Sequence, residues 1–154
     1  PKRGLAAQMP ASLTLPGGFS GARLFAPGIL VCQGPEHALP PDTPDKEMAG
    51  PAVCLSCQPE QLEGIALVVV ADDAAFTARD WDAFLWVAFT RSDPASDLYG
   101  NNARIACKHW ACDAPLIMDA RLKSYQAPPL EMDPEIERRV DALGAPGGPL
   151  HGLV

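Results

Sequence analysis

The chain has 154 residues, 47% of them apolar and 20% charged, with a net charge of −7. That is the size of one ordinary domain, with enough apolar material for a packed core and too little charge for a disordered chain. The acidic balance and the lack of a basic patch exclude a nucleic-acid binder, and no apolar run approaches the ~20 residues of a membrane span.

Seventeen prolines and thirteen glycines concentrate in the first sixty residues and the last ten. The core is therefore expected in the middle, with extended segments around it. Residues 1–27 are rich in Pro, Gly and Ala, and Ser12–Leu15 reads as an edge strand before the turn at Pro16. Gly28–Gln33 is short and apolar, as in a strand. Gly34–Pro51 holds five prolines without periodicity and reads as an arm, and Ala52–Cys57 as a further short strand. Gly64–Asp73 ("GIALVVVADD") is the clearest strand, and its continuous apolar run implies burial on both faces. A helix follows, with Thr77 or a neighbour as cap, running to about Thr90. Its apolar face is expected from Trp81, Phe84, Leu85, Ala88 and Phe89. Ala103–Cys107 and Ala114–Asp119 read as strands. The last helix starts with Asp133 as N-cap and Pro134 in the first turn, presents Ile136, Val140 and Leu143, and stops at Gly144. The pattern predicts a mixed α/β sheet with flanking helices. It divides into a Pro/Gly-rich extended arm over 1–60 and an α/β domain over 61–154.

Cys54-Leu55-Ser56-Cys57 is a C-x-x-C pair, the commonest half of a tetrahedral zinc site because two thiolates can chelate around one turn. Cys32 and His37 would complete such a set, with the Cys107–Cys112 block as another source of ligands. The other reading, and the favoured one, is that Cys32, Cys54 and Cys107 are small buried apolar residues on strands. A cysteine–histidine pair can be drawn from Cys107 or Cys112 with His109, but no orienting third group stands at a recognisable spacing. No Gly-rich phosphate loop joins a strand to a helix. Asp72 and Asp73 are turn or capping residues, or could hold a metal or a hydroxyl. Asp113, Asp119, Arg121 and Lys123 could form a polar cluster, or else surface ion pairs worth under about 1 kcal/mol each. Trp110, set among charged residues, is either an interface anchor or a half-buried core residue. Five cysteines, an odd number, without an apolar secretory segment, place the chain in the cytoplasm with reduced thiols.

Three blocks in order resemble the C-terminal part of UbiD-type decarboxylases, over about half of the chain. They are "ALVVVADDAAFTARDWDAFLWVAFTRSDPASDL", "CKHWACDAPLIMDAR" and "APPLEMDPEI". The resemblance implies a family that reversibly decarboxylates aromatic or α,β-unsaturated acids with prenylated FMN, a divalent metal and potassium. The family's catalytic and cofactor-binding residues lie in its N-terminal and central regions, which find no match here. No catalytic or cofactor-binding residue is therefore assigned. The chain is expected to be a small accessory subunit, a partner to a larger UbiD-like catalytic chain that carries the flavin. Lys108, His109, Trp110 and Arg121 are the residues expected to form the contact. The alternative is a zinc-binding regulatory or adaptor protein built on Cys54 and Cys57 with Cys32 and His37. A third reading is a small thiol enzyme using Cys107 or Cys112.

Overall fold

The computed structural model describes residues 4–37, 59–127 and 133–153. One five-stranded sheet organises them, built from β1 (Ser20–Ala26), β2 (Ile29–Gln33), β3 (Leu67–Ala71), β4 (Leu98–Ala106) and β5 (His109–Asp119). The spatial order is β1-β2-β3-β5-β4. The three inner strands are parallel, and β1 and β4 add antiparallel to the outside. The expected mixed α/β sheet is thus present. β3 is its centre, with Val68, Val69, Val70 and Ala71 all inaccessible to solvent. Such a strand carries apolar residues at every position because both of its faces are covered.

The two faces are covered differently. On one lie α1 (Ala74–Thr77) and α2 (Trp81–Thr90), which bury Val31, Val69, Phe84, Val87 and Ala88. On the other, the segment before β1 takes the place of a helix. It packs Ala6, Leu13, Leu15 and Phe19 onto Leu30, Val68, Val70 and Ile117. Ala6 N–H donates to Gly64 O at 2.9 Å, and Gly28 N–H donates to Ala6 O at 2.9 Å. Gly64 sits at φ +78°, and a Cβ there would stand 2.8 Å from Ala6 N, so the close approach requires glycine.

Several expectations need correction. Ser12–Leu15 is not a strand; Ser12 lies in a turn, and Leu13 and Leu15 pack against the core. Ser20–Ala26, unmarked in the sequence, is a strand. Thr77 ends α1 rather than capping α2. Asp73 caps α1 and Asp80 caps α2, its carboxylate accepting from Ala83 N–H at 2.8 Å. The buried face of α2 is Ala83, Phe84, Val87 and Ala88, while Trp81, Leu85 and Phe89 are exposed. The helix is apolar nearly all round, so its periodicity cannot fix the phase. The small side chains face the sheet because they let the helix approach it closely. Ala103–Cys107 and Ala114–Asp119 lie within one long hairpin, closed by a two-residue turn at Cys107 and Lys108 with φ of 51° and 67°. The last helix, α3 (Pro134–Gly144), is capped by Asp133 as expected, but no residue in it is buried. Ala52–Cys57 and most of the Gly34–Pro51 arm fall outside the described residues.

Candidate functional site

In open α/β sheets the crevice beyond the carboxyl ends of parallel strands is where functional groups gather. Here β3 runs out at Ala71 into Asp72, and β5 at Asp119 into Arg121 and Lys123. Past the end of β5 the chain bends at Arg121, whose N–H donates to Asp119 Oδ1 at 3.1 Å, and Asp119, Arg121 and Lys123 come together. All three are buried, with Lys123 only 1% exposed.

Arg121 grips Asp119 through two parallel hydrogen bonds, Nε to Oδ1 at 2.9 Å and a terminal nitrogen to Oδ2 at 2.7 Å. Its other terminal nitrogen donates to Pro35 O at 2.9 Å, which ties in the chain after β2. Lys123 Nζ donates to Asp119 O (2.6 Å), Arg91 O (2.7 Å) and Asp97 Oδ2 (3.1 Å), which uses all three of its hydrogens. Arg91 O is a carbonyl at the end of α2, so the ammonium also caps that helix, where a cation is favoured. Gln126 Nε2 donates to the same carbonyl at 3.1 Å. On the near side, Asp72 Oδ2 accepts from Arg91 at 2.8 Å and from Leu122 N–H at 2.8 Å.

Burial alone would raise the Asp119 carboxyl. The hydrogen bonds from Arg121 and the charges of Arg121 and Lys123 outweigh it and hold the pKa below the ordinary carboxylate value. Tyr99, beside the cluster, is pushed up to about 12 by burial and then by the Asp119 and Asp97 carboxylates. His37 lies against the same groups and its pKa is lowered. Burial is the main cause, and Arg121 and Lys123 add to it against the opposing pull of Asp119 and Asp97. Among the described residues its buried Nδ1 has no hydrogen-bond partner.

This arrangement fastens β5 to the end of α2, the 93–97 turn and the segment after β2. Its cations are engaged by internal acceptors, so it holds no ready phosphate clamp for a flavin. A separate cleft of about 400 Å³, before the start of β3 and beside the middle of β5, is lined by Glu60, Glu63, Leu5, Leu62, Ile65 and Ala114. Two carboxylates make it unsuited to phosphate as well. The described residues do not fit prenylated FMN, and no reaction step is assigned to them.

The residues expected to form a contact separate into two places. Lys108, His109 and Trp110 stand at the tip of the β4–β5 hairpin, with Trp110 44% exposed. Arg121 is 6% exposed at the other end of β5, roughly 30 Å or more away at the rise of a strand. Of the proposed zinc ligands, Cys32 is buried on β2 among aliphatic side chains and His37 lies by the polar cluster. Cys54 and Cys57 lie outside the described residues. Among the described residues no group of three His, Cys, Asp or Glu side chains could hold a metal ion. The surface ion pairs expected at 113–123 also divide. Asp113 pairs with Arg104 at 3.2 Å on the surface, whereas the other three form the buried cluster. Asp97, Arg91 and Gln126, its remaining members, went unnoticed because only the fold brings them to β5.

No family model matches this chain. It is 30% identical over 79 residues, 51% of its length, to a protein of Chlamydia pneumoniae named as a subunit of 4-hydroxybenzoate decarboxylase. It is 32% identical over 81 residues to an uncharacterized protein of Chlamydia muridarum. The match spans 14% of the length of each of these relatives. No helix among the described residues is long and apolar enough to cross a membrane.

Proposed function

We propose that this chain is a non-catalytic accessory subunit of a multi-subunit UbiD-like enzyme that reversibly decarboxylates aromatic or unsaturated acids. The observation that carries this reading is the similarity of half the chain to part of a protein named as a decarboxylase subunit. In this reading the prenylated FMN, its divalent metal and potassium belong to a larger catalytic chain in the cytoplasm. The segment from 61 onward is the part that resembles the family's C-terminal unit.

The geometry supports a docking role. Phe76 on α1 and Trp81, Leu85, Trp86 and Phe89 on the outer face of α2 are exposed to solvent. Contiguous apolar surface of this kind marks an interaction site, and aromatic residues are the usual anchors of an interface. The catalytic chain is the occupant we assign to it, with an interface above about 1,000 Å².

The test is co-expression with larger UbiD-like chains encoded beside it, followed by affinity purification. The complex should decarboxylate and the isolated chain should not. Leu85→Glu with Phe89→Glu should abolish co-purification while leaving the circular dichroism spectrum intact. A chain that ignores every such partner, or one that decarboxylates alone, would overturn the reading.

A further inference from the structure

Two apolar helix faces of this chain are open to solvent. On the outer face of α2, Trp81, Leu85 and Phe89 repeat every four residues. On α3, Ile136, Val140 and Leu143 form one stripe, and no residue of that helix is buried. Apolar faces of this kind are favoured to leave water together.

The chain itself brings the second face to the first. After β5 it is fastened to the C-terminal end of α2. Gln126 Nε2 donates to Arg91 O at 3.1 Å, and Lys123 Nζ donates to the same oxygen at 2.7 Å. Five residues, 128–132, then connect Ala127 to Asp133, the N-cap of α3. A connection of that length reaches up to about 20 Å. Packed helices need only about 8–10 Å between their axes. With ten and eleven residues, α2 and α3 are also matched in length, at roughly 15 Å each. Laid antiparallel with Asp133 beside Arg91, the two stripes fall in register. Ile136 meets Phe89, Val140 meets Leu85, and Leu143 meets Trp81. The acidic first turn of α3, with Glu135 and Glu137, arrives at the end of α2 that carries Arg91. The Arg91 guanidinium stands 5.1 Å over the Trp86 ring, on the flank of the same face. The two helix dipoles oppose, which is also favourable.

We propose that α3 folds back onto the outer face of α2 of its own chain and covers it while no partner is bound. The tether selects this occupant over a second copy, because a short linker holds the helix at an effective concentration of roughly millimolar. The cover does not rest on the decarboxylase reading. Only its consequence does: α3 must leave α2 before a catalytic chain can seat there.

The experiment uses the full chain alone, so its result is separate from the test of that reading. Trp110→Phe leaves Trp81 and Trp86 as the tryptophans. Adding Ile136→Gln with Val140→Gln should then shift the emission to the red, as both rings turn to water. Glutamine is a good helix former, so the shift reports lost contact and not a lost helix. The register is read by Leu85→Cys with Val140→Cys. Mild copper oxidation of a dilute sample should close a disulfide between them within one chain, since facing positions lie in the Cα range of about 4.4–6.8 Å that the bond spans. Peptide mass spectrometry sets this link apart from the five native cysteines. Leu85→Cys with Arg138→Cys, on the opposite side of α3, should not link. Unchanged emission, no link between positions 85 and 140, or an equal link at position 138 would each overturn the proposal. A link that joins two chains would overturn it as well, and would assign the face to a second copy.

Discussion

Replacing Lys123 by methionine tests whether the polar cluster is a buried lock. Methionine keeps most of the stem but removes the ammonium that holds Asp119 O, Arg91 O and Asp97 Oδ2. Asp97, 1% exposed, is left with hydrogen bonds from Asp93 N–H at 2.7 Å and the Ser96 hydroxyl at 3.3 Å, and with no cation. Removing one partner of a buried ion pair costs about 3–5 kcal/mol, because the other charge stays desolvated. Arg91 O keeps its bond from Gln126, so the orphaned carbonyls add little beyond that. A loss of about 4 kcal/mol is a large part of the ~5–15 kcal/mol that holds a domain together. Urea unfolding followed by circular dichroism at pH 7 should show it as a midpoint lowered by roughly 2 M, for a slope near 2 kcal/mol/M. Adding Asp97→Asn removes the stranded charge and should recover at least about 1 kcal/mol. A loss below about 1 kcal/mol for Lys123→Met, the value of an exposed pair, would refute the reasoning.

Acid should weaken the fold through Asp119. Its folded pKa is depressed, so its stabilisation is full above the unfolded carboxyl value, near 3.9, and is lost as pH falls through the folded value. Urea midpoints should hold steady from pH 7 to about pH 5 and fall as the pH drops below about 4, and Asp119→Asn should be weaker at pH 7 with a shallower slope in acid. Gly34→Ala should destabilise by about 1–3 kcal/mol, since a Cβ there would stand 2.6 Å from Val70 Cγ1 and 2.7 Å from Arg121 Cδ; a neutral thermal shift would mean both side chains yield. Asp80→Ala should lower the unfolding midpoint through loss of the α2 cap, which Asp80→Ser should largely restore in the same assay.

The strands and helices with a strong local signature were legible in the sequence. Val68–Ala71 declared a doubly covered strand because every residue is apolar. Asp133-Pro134 declared a helix start because cap chemistry is local. Cys32 could be foreseen as a buried strand thiol from the apolar residues before it. The phase of α2 was not legible, since Trp81, Leu85, Trp86 and Phe89 are as apolar as the face that packs, and only the fit of Ala83, Val87 and Ala88 against the sheet chooses between them. β1 was hidden because Gly21 and the two register shifts of its ladder break the alternation that marks a strand. The polar cluster was half visible. Asp119, Arg121 and Lys123 stand at alternate positions after an apolar run, but exposed and buried ion pairs look identical in one dimension. Arg91, Asp97 and Pro35 reach them through distant backbone. The burial that turns surface charges into a lock is a property of how the chain closes around β5, and it exists only in three dimensions.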